Sequence, residues 1–132
     1  MKITDYITEF LYQKGITTCF ELSGGMITHL LDSLSKNKNI KIISCHHEQA
    51  AGFSAEGYAR ATGKPGIALA TSGPGATNLV TGLAQAKAAF SPVVSIAGSY
   101  STKDKMEDAF QGLDQQSLFK PVTKKTWTVK NT

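Results

Sequence analysis

The sequence has 132 residues, a length typical of one domain and sufficient to bury a core. Its net charge is +4, and the excess lysines follow Asp114, so we interpret them as a solvated end of the chain and predict no nucleic-acid site. We expect neither a signal peptide nor a membrane segment, because no apolar run approaches the length that spans a bilayer. Cys19 and Cys45 form no CxxC pair, which predicts two reduced thiols in a cytoplasmic protein.

Helical and strand patterns alternate from the first residues. Apolar residues at helical spacing predict a first helix with Thr4 as its N-cap and Gly15 at its end. The residues of this helix predicted to be buried are Ile3, Tyr6, Ile7, Phe10 and Leu11. The segments predicted next are a strand at 16–20, a turn at 23–25 and a helix at 26–34.

The alternation of helices and strands continues to residue 97. The predicted segments are a strand at 40–45, a helix at 47–61 closed by Gly63, a strand at 66–71, a loop at 72–75, a helix at 76–90 and a strand at 92–97. Strands that are apolar on nearly every residue, separated by helices, predict an α/β fold of three layers (α/β/α) with a mostly parallel, doubly wound sheet. After Gly98 we expect a short helix within 106–118 and a final strand or extended segment at 122–129.

A glycine-rich segment, Ser72 to Asn78, follows a predicted strand and enters a helix. Ligands of parallel sheets bind at this edge, where glycine permits close approach and helix N–H groups are free. The segment is not a dinucleotide fingerprint, since Asn78 replaces the third glycine, and it lacks the lysine of a P-loop. A tight turn that binds no ligand is the alternative interpretation.

Glu48 is predicted to lie in the first turn of the helix at 47–61. One interpretation is that the acid has no role beyond a favourable interaction with the helix dipole. The helix that follows, however, contains an unusual number of small residues. They are Ala50, Ala51, Gly52, Ala55, Gly57, Ala59 and Ala61. We therefore expect close packing against another backbone or subunit, with Glu48 at a dry interface and Glu56 as a surface or capping charge. His46 and His47 lack the spacing of metal ligands, so no metal site is predicted.

Several motifs together resemble the N-terminal domain of thiamine-diphosphate-dependent enzymes, most of all acetolactate synthases. They are HEQAA at 47–51, AEGYARATGKPG at 55–66, TSGPGATN at 71–78, DAFQ at 108–111 and PVTK at 121–124. The resemblance covers essentially the whole chain. It implies a pyrimidine-binding domain of an enzyme that decarboxylates and ligates 2-oxo acids.

The resemblance also implies roles for individual residues. Glu48 matches the glutamate that hydrogen-bonds N1′ of the cofactor's aminopyrimidine and so promotes loss of the thiazolium C2 proton. The residues implied to bind the cofactor are Gly25, Glu48, Thr71, Gly73, Pro74 and Asn78. Phe110 and Gln111 would face the substrate. Because pyrimidine domains of this family meet at a subunit interface, we expect a homodimer or higher oligomer that uses the small-residue helix.

The sequence also departs from the family. Ser23 replaces a common proline, His46 replaces the arginine before the HEQ motif, and residues 112–117 differ, so the choice of 2-oxo acid stays open. The family binds diphosphate and Mg²⁺ through a GDG-to-Asn motif in a separate domain, and the 132 residues contain no GDG triplet. We therefore expect residues 1–132 to be a single pyrimidine-binding domain, inactive alone, with diphosphate and Mg²⁺ bound by another domain or chain.

Three other functions compete with this one. A non-catalytic assembly or regulatory module would keep the fold, but it would have no need of Glu48. A dinucleotide-dependent oxidoreductase is disfavoured by the incomplete fingerprint. A nucleic-acid-binding protein would rest on the basic tail alone.

Overall fold

The computed structural model describes residues 1–101, 103 and 109–129. The helices and strands, in chain order, are α1 (Ile3–Gln13), β1 (Thr18–Glu21), α2 (Thr28–Lys36), β2 (Lys41–Ser44), α3 (Glu48–Thr62), β3 (Gly66–Ala70), α4 (Pro74–Ala88), β4 (Val93–Ala97) and α5 (Gln115–Phe119). Two short 3₁₀ helices, Gly25–Ile27 and Lys120–Val122, complete the described secondary structure.

All four described strands run parallel, in the order β2-β1-β3-β4. In the middle of the sheet Phe20 lies beside Ile43 on one side and Ala68 on the other. The chain therefore starts near the centre of the sheet and winds towards both edges. This confirms the predicted three-layer α/β/α fold, and it places the residues that follow β1, β2 and β3 along one edge.

The two faces of the sheet are packed with side chains of different size. Ile67 and Leu69 of β3 pack with α1 and α2, whereas Ala68 and Ala70 of the same strand pack with α3 and α4. Gly66 lies directly against α3, because a Cβ at this position would come 2.0 Å from the Ala55 carbonyl oxygen. Helix α3 therefore approaches the sheet more closely than a larger residue at position 66 would allow.

The predicted buried stripe of α1 was wrong in part. Ile3, Tyr6 and Phe10 are about half exposed, while Thr8 and Leu11 are buried. The helix turns this way because its polar side contacts α2, where the Ser33 hydroxyl donates to Asp5 Oδ1 at 2.7 Å. Thr4 is not the N-cap, since Lys2 holds that position and Thr4 lies inside the first turn.

The helix starts and stops in the centre of the chain follow residue-specific backbone preferences. Gly63 ends α3 in the left-handed region (φ +69°), as predicted. Helix α4 begins two residues earlier than predicted, because Pro74 suits the first helical position. The strand predicted at 92–97 begins at Val93, and Pro92 contributes its carbonyl as acceptor for the Gly66 N–H.

The C-terminal prediction was less accurate. Positions 106–108 of the helix predicted within 106–118 lie outside the described residues, and the helix observed there is the short α5. The segment 122–129 forms no strand, since residues 125–129 have no regular secondary structure.

Both cysteines are free, Cys19 fully buried and Cys45 half-buried. Burial raises the pKa of the Cys19 thiol to about 12, so it stays protonated and packs as a small apolar group. Within the described ranges, no helix combines the length and the apolar character needed to cross a bilayer.

Candidate active site

Helices α3 and α4 lie side by side on one face of the sheet, and they meet in register. Asn78 Nδ2 donates to Glu48 Oε2 at 2.9 Å. Four residues further along each helix, Gly52 meets Gly82, where a Cβ on Gly82 would lie 2.8 Å from the Gly52 Cα. Because residues four apart share a helix face, the two contacts form one continuous seam. The glycine pair holds the helices close, and this brings the two polar side chains together.

Glu48 is the first residue of α3 and only 5% exposed. The helix is capped by His47, whose Nδ1 accepts from the Gln49 N–H at 3.1 Å. Among the described residues, Asn78 is the only hydrogen-bond partner of the Glu48 carboxyl, and it uses Oε2. Oε1 lies beside Gly75, where an added Cβ would come within 3.1 Å of it. One carboxyl oxygen is thus anchored by Asn78, and the other has no hydrogen-bond partner among the described residues.

The glycine loop, residues 72–75, is covered by the segment around Gln111. Gly73 has a φ of +58°, and a Cβ on it would lie 2.7 Å from the Gln111 Cβ. The buried Ser72 hydroxyl donates to Gln111 Oε1 at 3.1 Å. Gln111 itself has a φ of +59°, a conformation that non-glycine residues seldom adopt outside functional sites or tight turns. The contact therefore requires a glycine at position 73, and it is made by a Gln111 backbone in an unfavourable conformation.

Thr71, at the end of β3, lies between two loops. Its side chain fills the space beside Gly24 and Gly75. A Cβ on Gly24 would lie 2.4 Å from the nearest Thr71 atom, and a Cβ on Gly75 would lie 2.7 Å from one. Its hydroxyl oxygen accepts from the Met26 N–H at 3.4 Å. The loops after β1 and β3 are therefore packed together next to Glu48.

The comparisons with known proteins agree with this geometry. The family model described as "Thiamine pyrophosphate enzyme, N-terminal TPP binding domain" matches residues 1–118. The chain belongs to this thiamine pyrophosphate (thiamine diphosphate) enzyme family.

Similar relatives are acetolactate synthases. The chain is 42% identical over 130 residues to a probable acetolactate synthase large subunit of Methanocaldococcus jannaschii, covering 98% of this chain and 22% of the relative. It is 41% identical over 127 residues to acetolactate synthase isozyme 1 large subunit of Escherichia coli, covering 96% and 23%. With acetolactate synthase of Bacillus subtilis the identity is 42% over 120 residues, covering 91% and 21%. The chain thus spans about a fifth of the length of these relatives.

The structure brings most of the residues predicted for the thiamine pyrophosphate site to one edge of the sheet. Glu48 and Asn78 are in contact, and Thr71 packs against Gly75 beside them. Gly73 lies against Gln111. These are the strand ends at which ligands of parallel sheets bind.

Three predicted residues stand apart from these contacts. Gly25 opens the first 3₁₀ helix, and a Cβ there would meet no atom within 4 Å. Pro74 is exposed at the first position of α4. Phe110 is 81% exposed, next to the covered glycine loop. No contact among the described residues bears on their predicted roles in binding cofactor or substrate.

Sequence reasoning missed three residues that shape the site. Gly24 and Gly75 make the close contacts to Thr71, and Ser72 anchors Gln111. The Gly-Gly and Gly-Pro-Gly runs were visible, but a run does not indicate which of its glycines faces a neighbour. Only the folded loops separate the tightly packed Gly24 from the open Gly25.

One interpretation of α3 needs correction. Glu56 is not a surface charge: it is 6% exposed, accepts from the Ser91 hydroxyl at 2.9 Å, and lies 3.6 Å from Arg60 Nη1. The small residues Ala51, Gly52, Ala55 and Ala59 are buried within this chain, against α4 and the sheet, which confirms the predicted close contact with another backbone. Within the described residues, no group of three or more His, Cys, Asp or Glu side chains is placed to hold a metal.

Proposed function

We propose that this chain is the pyrimidine-binding domain of an acetolactate synthase-like enzyme, which uses thiamine diphosphate to decarboxylate a 2-oxo acid and ligate the product. The observation that carries the proposal is the Glu48 carboxyl. It lies at the start of α3, nearly buried, with Oε2 held by Asn78 and Oε1 beside Gly75.

The environment of Glu48 suits a group that shares a proton with a ring nitrogen. A hydrogen bond made in a dry site is stronger than one made in water. Thiamine diphosphate supplies the carbanion chemistry, and Glu48 is proposed to hold or release the proton at its N1′.

The remaining predicted residues surround this carboxyl in the proposal. Asn78 orients Glu48, and Gly25, Thr71, Gly73 and Pro74 line the side of the pyrimidine ring. Gly75 supports this, because a Cβ at this position would come within 3.1 Å of Glu48 Oε1. Phe110 and Gln111 face the 2-oxo acid, and the exposed Phe110 ring next to the glycine loop is available for such a contact.

The proposal requires a second cofactor-binding part. Diphosphate and Mg²⁺ are held by another domain or chain, and the single domain formed by residues 1–132 is inactive alone. The length of the relatives, of which this chain matches about a fifth, supports a multidomain enzyme. The two free cysteines support a cytoplasmic location.

The proposal includes a homodimer or higher oligomer in which α3 takes part. Since its inner side is used within the chain, the contact would involve the outer side of the helix. The exposed residues of α3 are Ala50, Phe53, Gly57, Arg60, Ala61 and Thr62. Phe53 supports this, because a 40% exposed phenylalanine between small residues offers apolar area that a partner can approach closely.

The test is consumption of pyruvate by the full-length protein with thiamine diphosphate and Mg²⁺, comparing wild type with Glu48→Gln. We expect cofactor-dependent turnover that falls by about 100-fold or more in the variant, the range for loss of a proton-transferring group. Glu56→Gln is the matched control, because it alters another buried glutamate of the same helix and should leave turnover unchanged. If wild type binds no cofactor, the fold serves as an assembly or regulatory module instead.

A further inference from the structure

Glu21 is a buried acid that the proposed chemistry does not use. It is the last residue of β1, a strand flanked by β2 and β3, and it is 1% exposed. The two residues before it, Cys19 and Phe20, are buried apolar groups typical of such a strand. A carboxyl group at this position is costly unless hydrogen bonds replace the water it has lost.

The Glu21 carboxyl is satisfied by two serines from different parts of the chain. The Ser23 hydroxyl donates to Oε2 at 2.9 Å, and the Ser44 hydroxyl donates to Oε1. Within the described residues, no lysine, arginine or histidine forms an ion pair with it. We call Glu21, Ser23 and Ser44 the Glu21 network. The hydrogen-bond partners of the Glu21 carboxyl are neutral hydroxyls. The Glu21 network therefore fixes the positions of the two serines and does not neutralise the charge of a cation.

The two serines belong to segments that flank the active site. Ser23 is part of the first loop, residues 22–25, which places Gly24 against Thr71. Ser44 ends β2, four residues before Glu48. The backbone adds a second link, since the Glu21 carbonyl accepts from the Cys45 N–H at 2.7 Å. Glu21 thus joins the first loop to the segment that leads into α3.

We propose that Glu21 is a positioning residue, which holds the first loop and Glu48 in the relative placement that the cofactor's pyrimidine requires. This inference rests on the proposed function. Glu21 touches no ligand in this account and acts only through Ser23 and Ser44. Its removal frees the first loop from β2, and small displacements of groups around a reacting centre are costly.

The experiment compares wild type, Glu21→Ala and Glu56→Ala as full-length proteins. Glu56 is the control because it is also buried and accepts from a serine, Ser91, although unlike Glu21 it lies 3.6 Å from an arginine, Arg60. Three quantities are measured: the apparent Kd for thiamine diphosphate at saturating Mg²⁺, kcat at saturating cofactor, and amide hydrogen exchange in the cofactor-free protein.

For Glu21→Ala we expect the Kd to rise about tenfold or more, with a smaller change in kcat once cofactor is saturating. The hydrogen-bonded amides of Met26 and Ile27 should exchange faster, while those of β3 keep their protection. Glu21→Gln should recover most of the affinity, because an amide can still pair with both serine hydroxyls. Glu56→Ala should lower the Tm without changing the Kd.

A Ser23→Ala variant guards against misfolding of Glu21→Ala, since it removes one donor at a partly exposed site, and its Kd should rise severalfold. An unchanged Kd in these variants, with wild type binding normally, overturns the positioning role and leaves the proposed function intact. An equal Kd increase in Glu56→Ala also overturns it, because the effect would then be global. Failure of wild type to bind thiamine diphosphate overturns both proposals.

Discussion

The two faces of the sheet are packed against their helices by side chains of different size. On the α1/α2 face, large side chains such as Leu34, Ile67 and Leu69 fill the space between the layers. On the α3/α4 face, alanines and glycines allow backbone to approach backbone, as at Gly66 and at the Gly52–Gly82 contact. The candidate catalytic pair, Glu48 and Asn78, lies on the second face.

The difference bears on how positions are fixed. A layer of large side chains can rearrange its rotamers when one member changes, whereas two backbones in contact have no flexible atoms between them. The seam between α3 and α4 therefore fixes the spacing of Glu48 and Asn78 more strictly than side-chain packing would. The α1/α2 face contributes mainly stability, and the α3/α4 face contributes stability and site geometry together.

The largest expected effect on stability is that of Leu69→Ala on the α1/α2 face. Leu69 is completely buried, so the variant leaves a cavity and should lower the free energy of unfolding by about 2–5 kcal/mol. Urea denaturation measures this change. Cofactor affinity of the folded enzyme should stay the same. If Leu69→Ala weakens cofactor binding as much as a change in the α3/α4 seam does, the two faces do not differ in the way described.

A smaller loss of stability, but a larger effect on the site, is expected for Gly82→Ala. The added Cβ would lie 2.8 Å from the Gly52 Cα and 3.1 Å from the Phe53 nitrogen, so the helices must separate. We expect a loss of about 1–3 kcal/mol, typical of overpacking. Turnover at saturating cofactor should fall, because Asn78 and Glu48 lie one helical turn away. Unaltered turnover in a destabilised variant would show that the seam does not position them.

The matched control for that substitution is Gly57→Ala, and it should have the smallest effect. Gly57 lies in α3, but a Cβ there would meet nothing within 4 Å. Alanine should therefore raise the free energy of unfolding by up to about 1 kcal/mol through its higher helix propensity. Thermal unfolding reports this gain, and turnover should not change. A destabilised Gly57→Ala would place Gly57 itself inside the oligomer contact proposed for the outer side of α3, and would contradict its use as a control.

The sequence predicted the helices and strands on both faces, but it did not predict the contacts between residues distant in sequence. Periodicity and the apolar strands predicted the α/β fold and the order of elements, because both follow from local pattern. The small residues of α3 predicted close contact with another backbone or subunit, but they did not indicate which one. The partner is Gly82 of α4, and a contact between residues 30 positions apart leaves no local signal. For the same reason Glu56, whose partner Ser91 is distant in sequence, was taken for a surface charge.

The site was predictable to a similar extent. The HEQ and GPGATN motifs identified Glu48 and Asn78 separately, whereas their hydrogen bond required the folded seam. The burial of Glu21 was not predicted, because an acid after a short apolar strand is as compatible with a surface turn as with a buried network. Rotation of α1 was also beyond the periodic pattern, since polar contacts with α2 decided it.

The most direct test of the account is exchange of the thiamine diphosphate C2 proton for deuterium on the full-length protein, followed by NMR after acid quench. Glu48→Gln is compared with wild type, both saturated with cofactor and Mg²⁺. The account predicts that exchange slows by about 100-fold or more in the variant while the cofactor stays bound, since only proton transfer through Glu48 is lost. Exchange at the wild-type rate in cofactor-saturated Glu48→Gln would contradict the central role assigned to this carboxyl.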